Sequence, residues 1–136
     1  MDAIDRHLSE RLAEEMPLLR QAFPNASIDS DAYVVILTAY RLPAGWSHEQ
    51  TDILFAIPSN YPAGQPDNIC ARPDLTLMGG VAPGNNQGIQ VYAGRSWLQF
   101  SYHVEPADWR PSANPAEGSN LTEYLTGALS RFEEAS

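Results

Sequence analysis

The sequence predicts an α+β fold with an N-terminal helix, an antiparallel meander sheet, a long irregular loop and a C-terminal helix. Three observations carry this. Ile4, Leu8, Leu12, Met16, Leu19 and Phe23 recur every three or four residues and line one face of a helix. The runs YVVILTAY (33–40) and DILFAIP (52–58) are β-branched and aromatic, and too short for an ordinary helix, so they read as strands. Leu121, Tyr124, Leu125, Ala128, Leu129 and Phe132 form a second helical stripe.

Each element has its local signals. Pro17 removes a backbone donor and clashes with the preceding turn, which predicts a kink there or a second helix with Pro17 in its first turn; Pro24 ends the segment. The run 33–40 is apolar on both faces, and the turn at LPAGW makes an antiparallel partner of 52–58 the economical pairing. PDNICARP (66–73) is a weaker strand bounded by prolines. Residues 79–94 carry GGVAPGNNQG and little periodicity, so they read as an irregular loop, with a short strand at IQVYA as the alternative. Asn120, followed three residues later by Glu123, starts the last helix in the manner of a capping box.

At 136 residues the chain has the length of one domain, 1–136. Eight basic residues against seventeen acidic ones give a formal charge of −9, and the arginines are scattered. Such a surface repels phosphate, which excludes nucleic acid and anionic membrane as partners and favours a basic one. Cys70 is the single cysteine, which excludes an internal disulfide and a cysteine-rich zinc site and suits a reducing cytoplasm. His7 and His48 stand far apart with no cysteine beside them, so no metal and no cofactor are expected. The start MDAIDRHLSERLAEEM is acidic and amphipathic, unlike a signal peptide, and no run approaches the roughly 18 apolar residues of a membrane span. A cytoplasmic protein is expected. All eight basic residues are arginine. The lysine void fits a high-GC genome first, and avoidance of self-modification second.

The stretch SWLQFSYHVEPADWRP (96–111) concentrates aromatic, hydroxyl and imidazole groups. Together with the order helix, strand, strand, NYPAGQP, weak strand, long loop, Trp-x-Pro, helix, it resembles the ubiquitin-conjugating enzyme superfamily. Tyr61, Pro62 and Pro66 match that family's Tyr-Pro followed by prolines, and Trp109 and Pro111 match its Trp-x-Pro. YRLPAGW, DILFAIPSNYPAGQPD, RPDLTL and SWLQFSYH…DWRP resemble more closely a bacterial branch, prokaryotic family E, over about residues 17–132. The resemblance implies a ubiquitin-conjugating-enzyme-like core at 17–132 behind a helical extension at 1–16. It also implies a role in a bacterial ubiquitin-like modification pathway, with an activating enzyme and a ubiquitin-like modifier as partners.

A conjugating enzyme carries its passenger as a thioester, so it needs an accessible thiol and donors for the oxyanion. Counting back eight residues from Trp109, the family's spacing, lands on Ser101, whereas Cys70 lies just beyond Pro66. The family's His-Pro-Asn is missing, and Asn85 and Asn86 are the candidate amides. The ordinary thioester machinery is therefore expected to be absent, with Cys70 a small buried hydrophobe. In an extended segment Ser101 and His103 share a face, so the imidazole could serve as base for the hydroxyl, with Glu105 or Asp108 as orienter. The competing reading has His103 hydrogen-bonding backbone to order the loop. An oxyester would release its passenger to an amine far less readily than a thioester. Trp97 and Trp109 are expected to wedge the loop against the helices, and Trp46 to be an exposed contact residue. The functional reading is a conjugating-like pathway component without the catalytic cysteine. The alternatives are a noncatalytic scaffold of the same fold and, more weakly, a Ser/His hydrolase.

Overall fold

The computed structural model describes residues 3–133 and 135; expectations for residues 1, 2, 134 and 136, and for the Ile4 side chain, lie outside the described residues. Helix α1 (Ala3–Ala22) leads into strands β1 (Ala26–Asp29), β2 (Val34–Arg41), β3 (Gln50–Ala56), β4 (Asn68–Ala71), β5 (Asn86–Tyr92) and β6 (Arg95–Ser101), and helix α2 (Leu121–Leu129) follows. Short 3-10 turns occupy Pro106–Asp108 and Ser130–Phe132. The strands form one antiparallel sheet in the order β1-β2-β3-β4-β6-β5. The first four make a meander, and the β5–β6 hairpin then joins it through β6.

Helix α1 runs through Pro17 without dividing. Pro17 is exposed, so the Ala13 carbonyl that loses its helical donor can turn to water. Leu8, Leu12 and Leu19 are buried as the periodicity requires, but Arg11 and Glu15 lie in the same buried stripe. On the inner face of the sheet, Val35, Leu37, Ile53, Phe55, Ile69, Leu98 and Phe100 join one core with α1 and α2. Leu121, Tyr124, Leu125 and Ala128 of α2 are wholly buried there. The Asn120 side chain accepts from the Glu123 N–H at 2.8 Å, capping α2 as its sequence signals. Strand alternation sends Val34, Leu54, Cys70 and Trp97 to the outer face, where Ile36 and Tyr92 cover them.

Three expectations are corrected. Residues 86–92 form a full strand, longer than the alternative at IQVYA and starting three residues earlier, hairpinned to β6 through Ala93–Gly94, so the irregular loop ends at Asn85. Trp97 does not wedge against the helices: it lies on the opposite face, fully buried, with its indole donating to the Tyr92 carbonyl at 3.2 Å and the Arg95 guanidinium 4.3 Å over its ring. Trp46 is not exposed. It packs 5.8 Å from the Phe132 ring and donates to the Phe132 carbonyl at 2.9 Å, which satisfies the indole N–H inside the core. Strand β1 is an element that the sequence reading leaves out; its four residues, ASID, are too few and too polar to stand out alone. Among the described residues no helix is long and apolar enough to cross a membrane.

Candidate functional site at the Trp-Arg-Pro corner

The two proline motifs meet in space. Trp109 donates its indole N–H to the Pro62 carbonyl at 2.8 Å, and its ring lies 6.2 Å from that of Tyr61. The Tyr61–Pro62 peptide bond is cis. Tyr61 is buried, and its hydroxyl donates to Glu15 Oε2 at 2.5 Å. Burial first, then the adjacent Glu15 carboxylate, pushes the phenol far above its ordinary range, so it stays a donor at all working pH values.

The far side of the corner is closed by Gly118. Arg110 N–H donates to Ser119 Oγ at 2.9 Å, Ser119 N–H returns to the Arg110 carbonyl at 3.0 Å, and Pro111 bridges Gly118. Gly118 has φ +69°, and a Cβ there would sit 2.4 Å from the Arg110 carbonyl oxygen. Backbone cannot yield as a flexible side chain can. Gly118→Ala is therefore expected to cost about 2 kcal/mol or more, read as a lower urea midpoint at unchanged m-value.

The segment after β6 is pinned at each step. Gln65 grips Val104 with both ends of its amide, accepting from the Val104 N–H and donating to the Val104 carbonyl, each at 2.6 Å. Tyr124 donates to the Tyr102 carbonyl at 2.9 Å, and the Tyr102 ring meets Tyr124 edge-on at 5.3 Å. Burial raises the pKa of both phenols, most for Tyr124. Tyr102 and Val104 pack inward, which leaves Ser101 and His103 exposed on the other side, as period-two alternation requires.

The structure thus places Ser101 and His103 on one exposed face but does not join them. Among the described residues neither side chain makes a hydrogen bond or ion pair, and neither Glu105 nor Asp108 reaches His103. Ser101 N–H approaches the Asn85 carbonyl at 3.5 Å, so exposed Asn85 borders the same corner. The Asn86 amide is spent on its own loop, donating to the Pro83 carbonyl and accepting from Gly88 N–H. Pro66 lies beside Gln65 in the wall of a small outer-face cavity of about 140 Å³. Among the described residues the corner exposes a hydroxyl, an imidazole and a carboxamide, with nothing placed to activate the hydroxyl.

Cys70 lines that same cavity with Asn68, Tyr92 and Gln99, yet it is 1% exposed. It lies nearer to Ser101 than chain order suggests, because in the pairing of β4 with β6 only Ile69↔Phe100 separates Asn68↔Ser101 from Cys70↔Gln99. Its thiol faces Gln99 Oε1 at 3.8 Å, an oxygen that also accepts from the Tyr92 hydroxyl at 2.6 Å. Burial pushes the thiol up to about 12.

Sequence reasoning misses two arrangements. Glu15 binds three elements at once: Oε2 accepts from Arg11 Nε and Tyr61, and Oε1 accepts from the Leu121 N–H at the start of α2 at 2.7 Å. Arg11 in turn donates to the Ser112 carbonyl at 2.5 Å, beside the corner. An Arg and a Glu four residues apart look like a surface pair, so no local signal marks them. The second is Ser47, His48 and Asp74: Ser47 Oγ lies 2.8 Å from His48 Nδ1, and His48 Nε2 lies 3.4 Å from Asp74, which pairs with Arg72. Ser47 Oγ also accepts from Thr76 N–H at 3.0 Å, on an exposed loop. This is a tie between two turns. Arg72 holds the Asp74 carboxyl below its usual range. Among the described residues no group of three or more His, Cys, Asp or Glu is arranged to hold a metal.

A helix-flanked antiparallel meander whose Tyr-Pro turn and Trp-x-Pro corner lock together defines an α+β protein of the E2, or ubiquitin-conjugating, type. A family model described as Prokaryotic E2 family E matches residues 18–118, and the chain belongs to that family. No curated protein matches it, and no solved structure does.

Proposed function

We propose that this protein is a conjugating-like component of a prokaryotic ubiquitin-like modification pathway, working with an activating enzyme and a ubiquitin-like modifier as an adaptor that forms no thioester. The observation that carries the reading is the state of its only thiol. Cys70 is enclosed in the sheet, and with its thiol near 12 only roughly one molecule in 10⁵ would be thiolate at neutral pH. A thioester carrier needs the reverse: an exposed sulfur that ionises readily.

A second reading is favoured by one feature, the exposure of Ser101 on pinned backbone at the position the family spacing assigns to the nucleophile. There the hydroxyl would hold the modifier as an oxyester, trapping more than transferring it. Hydrolysis by Ser101 and His103 has less support, since no contact couples base to nucleophile.

The test mixes the protein with its activating enzyme, modifier and ATP, and resolves adducts by denaturing electrophoresis. Binding without a covalent adduct is the expected outcome. An adduct cleaved by thiols and lost in Cys70→Ala overturns the reading; one cleaved by mild base and lost in Ser101→Ala transfers support to the oxyester.

A further inference from the structure

The seventeen acidic residues are unevenly spread. None lies between Leu75 and Val104, a thirty-residue stretch in which Arg95 is the only Asp, Glu, Lys or Arg. The exposed large hydrophobic side chains of the described residues, Met78, Val81, Ile89 and Val91, all fall inside it. Two of them sit on β5, an edge strand whose sequence, NQGIQVY, holds no charge and no proline. Edge strands are normally guarded by such residues or kept very short. The opposite edge is so guarded: β1 has four residues and ends at Asp29, with Asp31 close behind.

Ladder geometry says what β5 presents. Ala93 and Gly94, at φ +51° and +73°, form a two-residue turn, so Tyr92↔Arg95 and Gln90↔Trp97 are the hydrogen-bonded pairs with β6. Ile89 and Val91 then turn their N–H and C=O groups outward. Their side chains share the inner face, since Ile89 pairs with Leu98, and they are 53% and 68% exposed. The strand therefore offers backbone donors, backbone acceptors and apolar side chains at the same two residues.

We propose that β5 pairs antiparallel with β5 of a second copy of this chain, centred on Gln90, to join two six-stranded sheets. The strand is self-complementary in that register. Ile89 of each copy falls opposite Val91 of the other, giving two hydrogen-bonded pairs with apolar side chains on one face. Tyr92 falls opposite Gly88, where open space surrounds the missing Cβ. No like charges meet across the contact. A contact this short belongs to the transient class, below about 1,200 Å² of buried surface. The remainder of each chain supplies its −9 charge at a distance, so salt should strengthen the dimer, the opposite of a contact built from ion pairs.

Sedimentation equilibrium from low-micromolar to near-millimolar protein, at low and high salt, tests this. The mean mass should climb from 15.0 kDa toward twice that value, more readily at high salt. Val91→Lys should weaken association at least about tenfold and leave thermal unfolding unchanged. A mass that stays at the monomer value throughout overturns the proposal, as does a dimer that survives both Val91→Lys and Val91→Pro, the second of which removes an outward N–H and leaves the ladder to β6 intact. Strand addition at Ile89–Tyr92 by another protein, without self-association, overturns the choice of occupant.

Discussion

Glu15→Ala is expected to remove about 3–5 kcal/mol of folding stability, enough to leave a domain of this size largely unfolded at moderate urea. The carboxylate is 1% exposed and accepts from Arg11 Nε at 2.7 Å, Tyr61 Oη at 2.5 Å and the Leu121 N–H at 2.7 Å. Deleting it strands three donors, one of them a cation that is itself only 7% exposed. Among the described residues Arg11 Nη2 already has no hydrogen-bond partner, so they offer the guanidinium no spare acceptor to fall back on. Glu15→Gln keeps the shape but loses the charge, and should lie between wild type and alanine. The double variant Arg11→Met/Glu15→Leu removes both charges together and should recover a large part of the loss. Urea titrations of these proteins together with the single variants Arg11→Met and Glu15→Leu decide the matter. Near-additive losses in the double variant would mean that the pair is not coupled and that the cost lies in packing alone.

The position of this carboxylate explains why the corner is ordered. Through Tyr61 it fixes the Tyr-Pro turn, through Leu121 it fixes the start of α2, and Arg11 reaches the Ser112 carbonyl in the chain that connects them. Trp109 then closes the ring by donating to Pro62. The motif residues that the resemblance singles out are thus consequences of one buried polar node on α1 and one indole hydrogen bond.

That node shows where sequence reading stops. Apolar periodicity locates α1 and α2, and Asn120 marks the start of α2, because these signals are local. Arg11 and Glu15 occupy helical positions that could face water or core with equal ease, and only partners 46 and 106 residues away from Glu15 decide. Trp46 is similar, since its acceptor lies 86 residues on. Strand β5 shows in the sequence only as the alternative of a short strand at IQVYA, for another reason. A register shift between Asn86 and Ile89 breaks its alternation, and glycines at 79, 80, 84, 88 and 94 give the stretch the composition of a loop. At the corner, the shared exposure of Ser101 and His103 follows from alternation and is legible. Whether the two touch depends on rotamers and neighbours, which is not. Cys70 reads correctly as buried, but its chain distance from Ser101 misleads, because β4 and β6 pair directly in the sheet although β5 comes between them in the chain.

Cys70 should react with an aromatic disulfide at neutral pH about 10³-fold more slowly in the folded protein than in urea, even before steric shielding is counted. Raising a thiol from 9.0 to about 12 lowers its thiolate fraction by three powers of ten at any pH below 9.0. The same shift couples to stability. Below pH 9 both folded and unfolded thiols hold their proton, and the full contribution is present. Between pH 9 and 12 the unfolded chain gives up a proton that the folded chain keeps, so stability falls by as much as about 1.4 kcal/mol per pH unit. Above about 12 the folded thiol ionises too, and the slope ends. Tyr61 and Tyr124, whose phenols burial also raises, add their own loss above their ordinary value of 10.0. Cys70→Ala should therefore flatten the stability profile between pH 9 and 10 and leave the steeper decline beyond it. Native Cys70 modified at the rate of a free cysteine would show that the sheet opens to expose it, and the adaptor reading would lose its support.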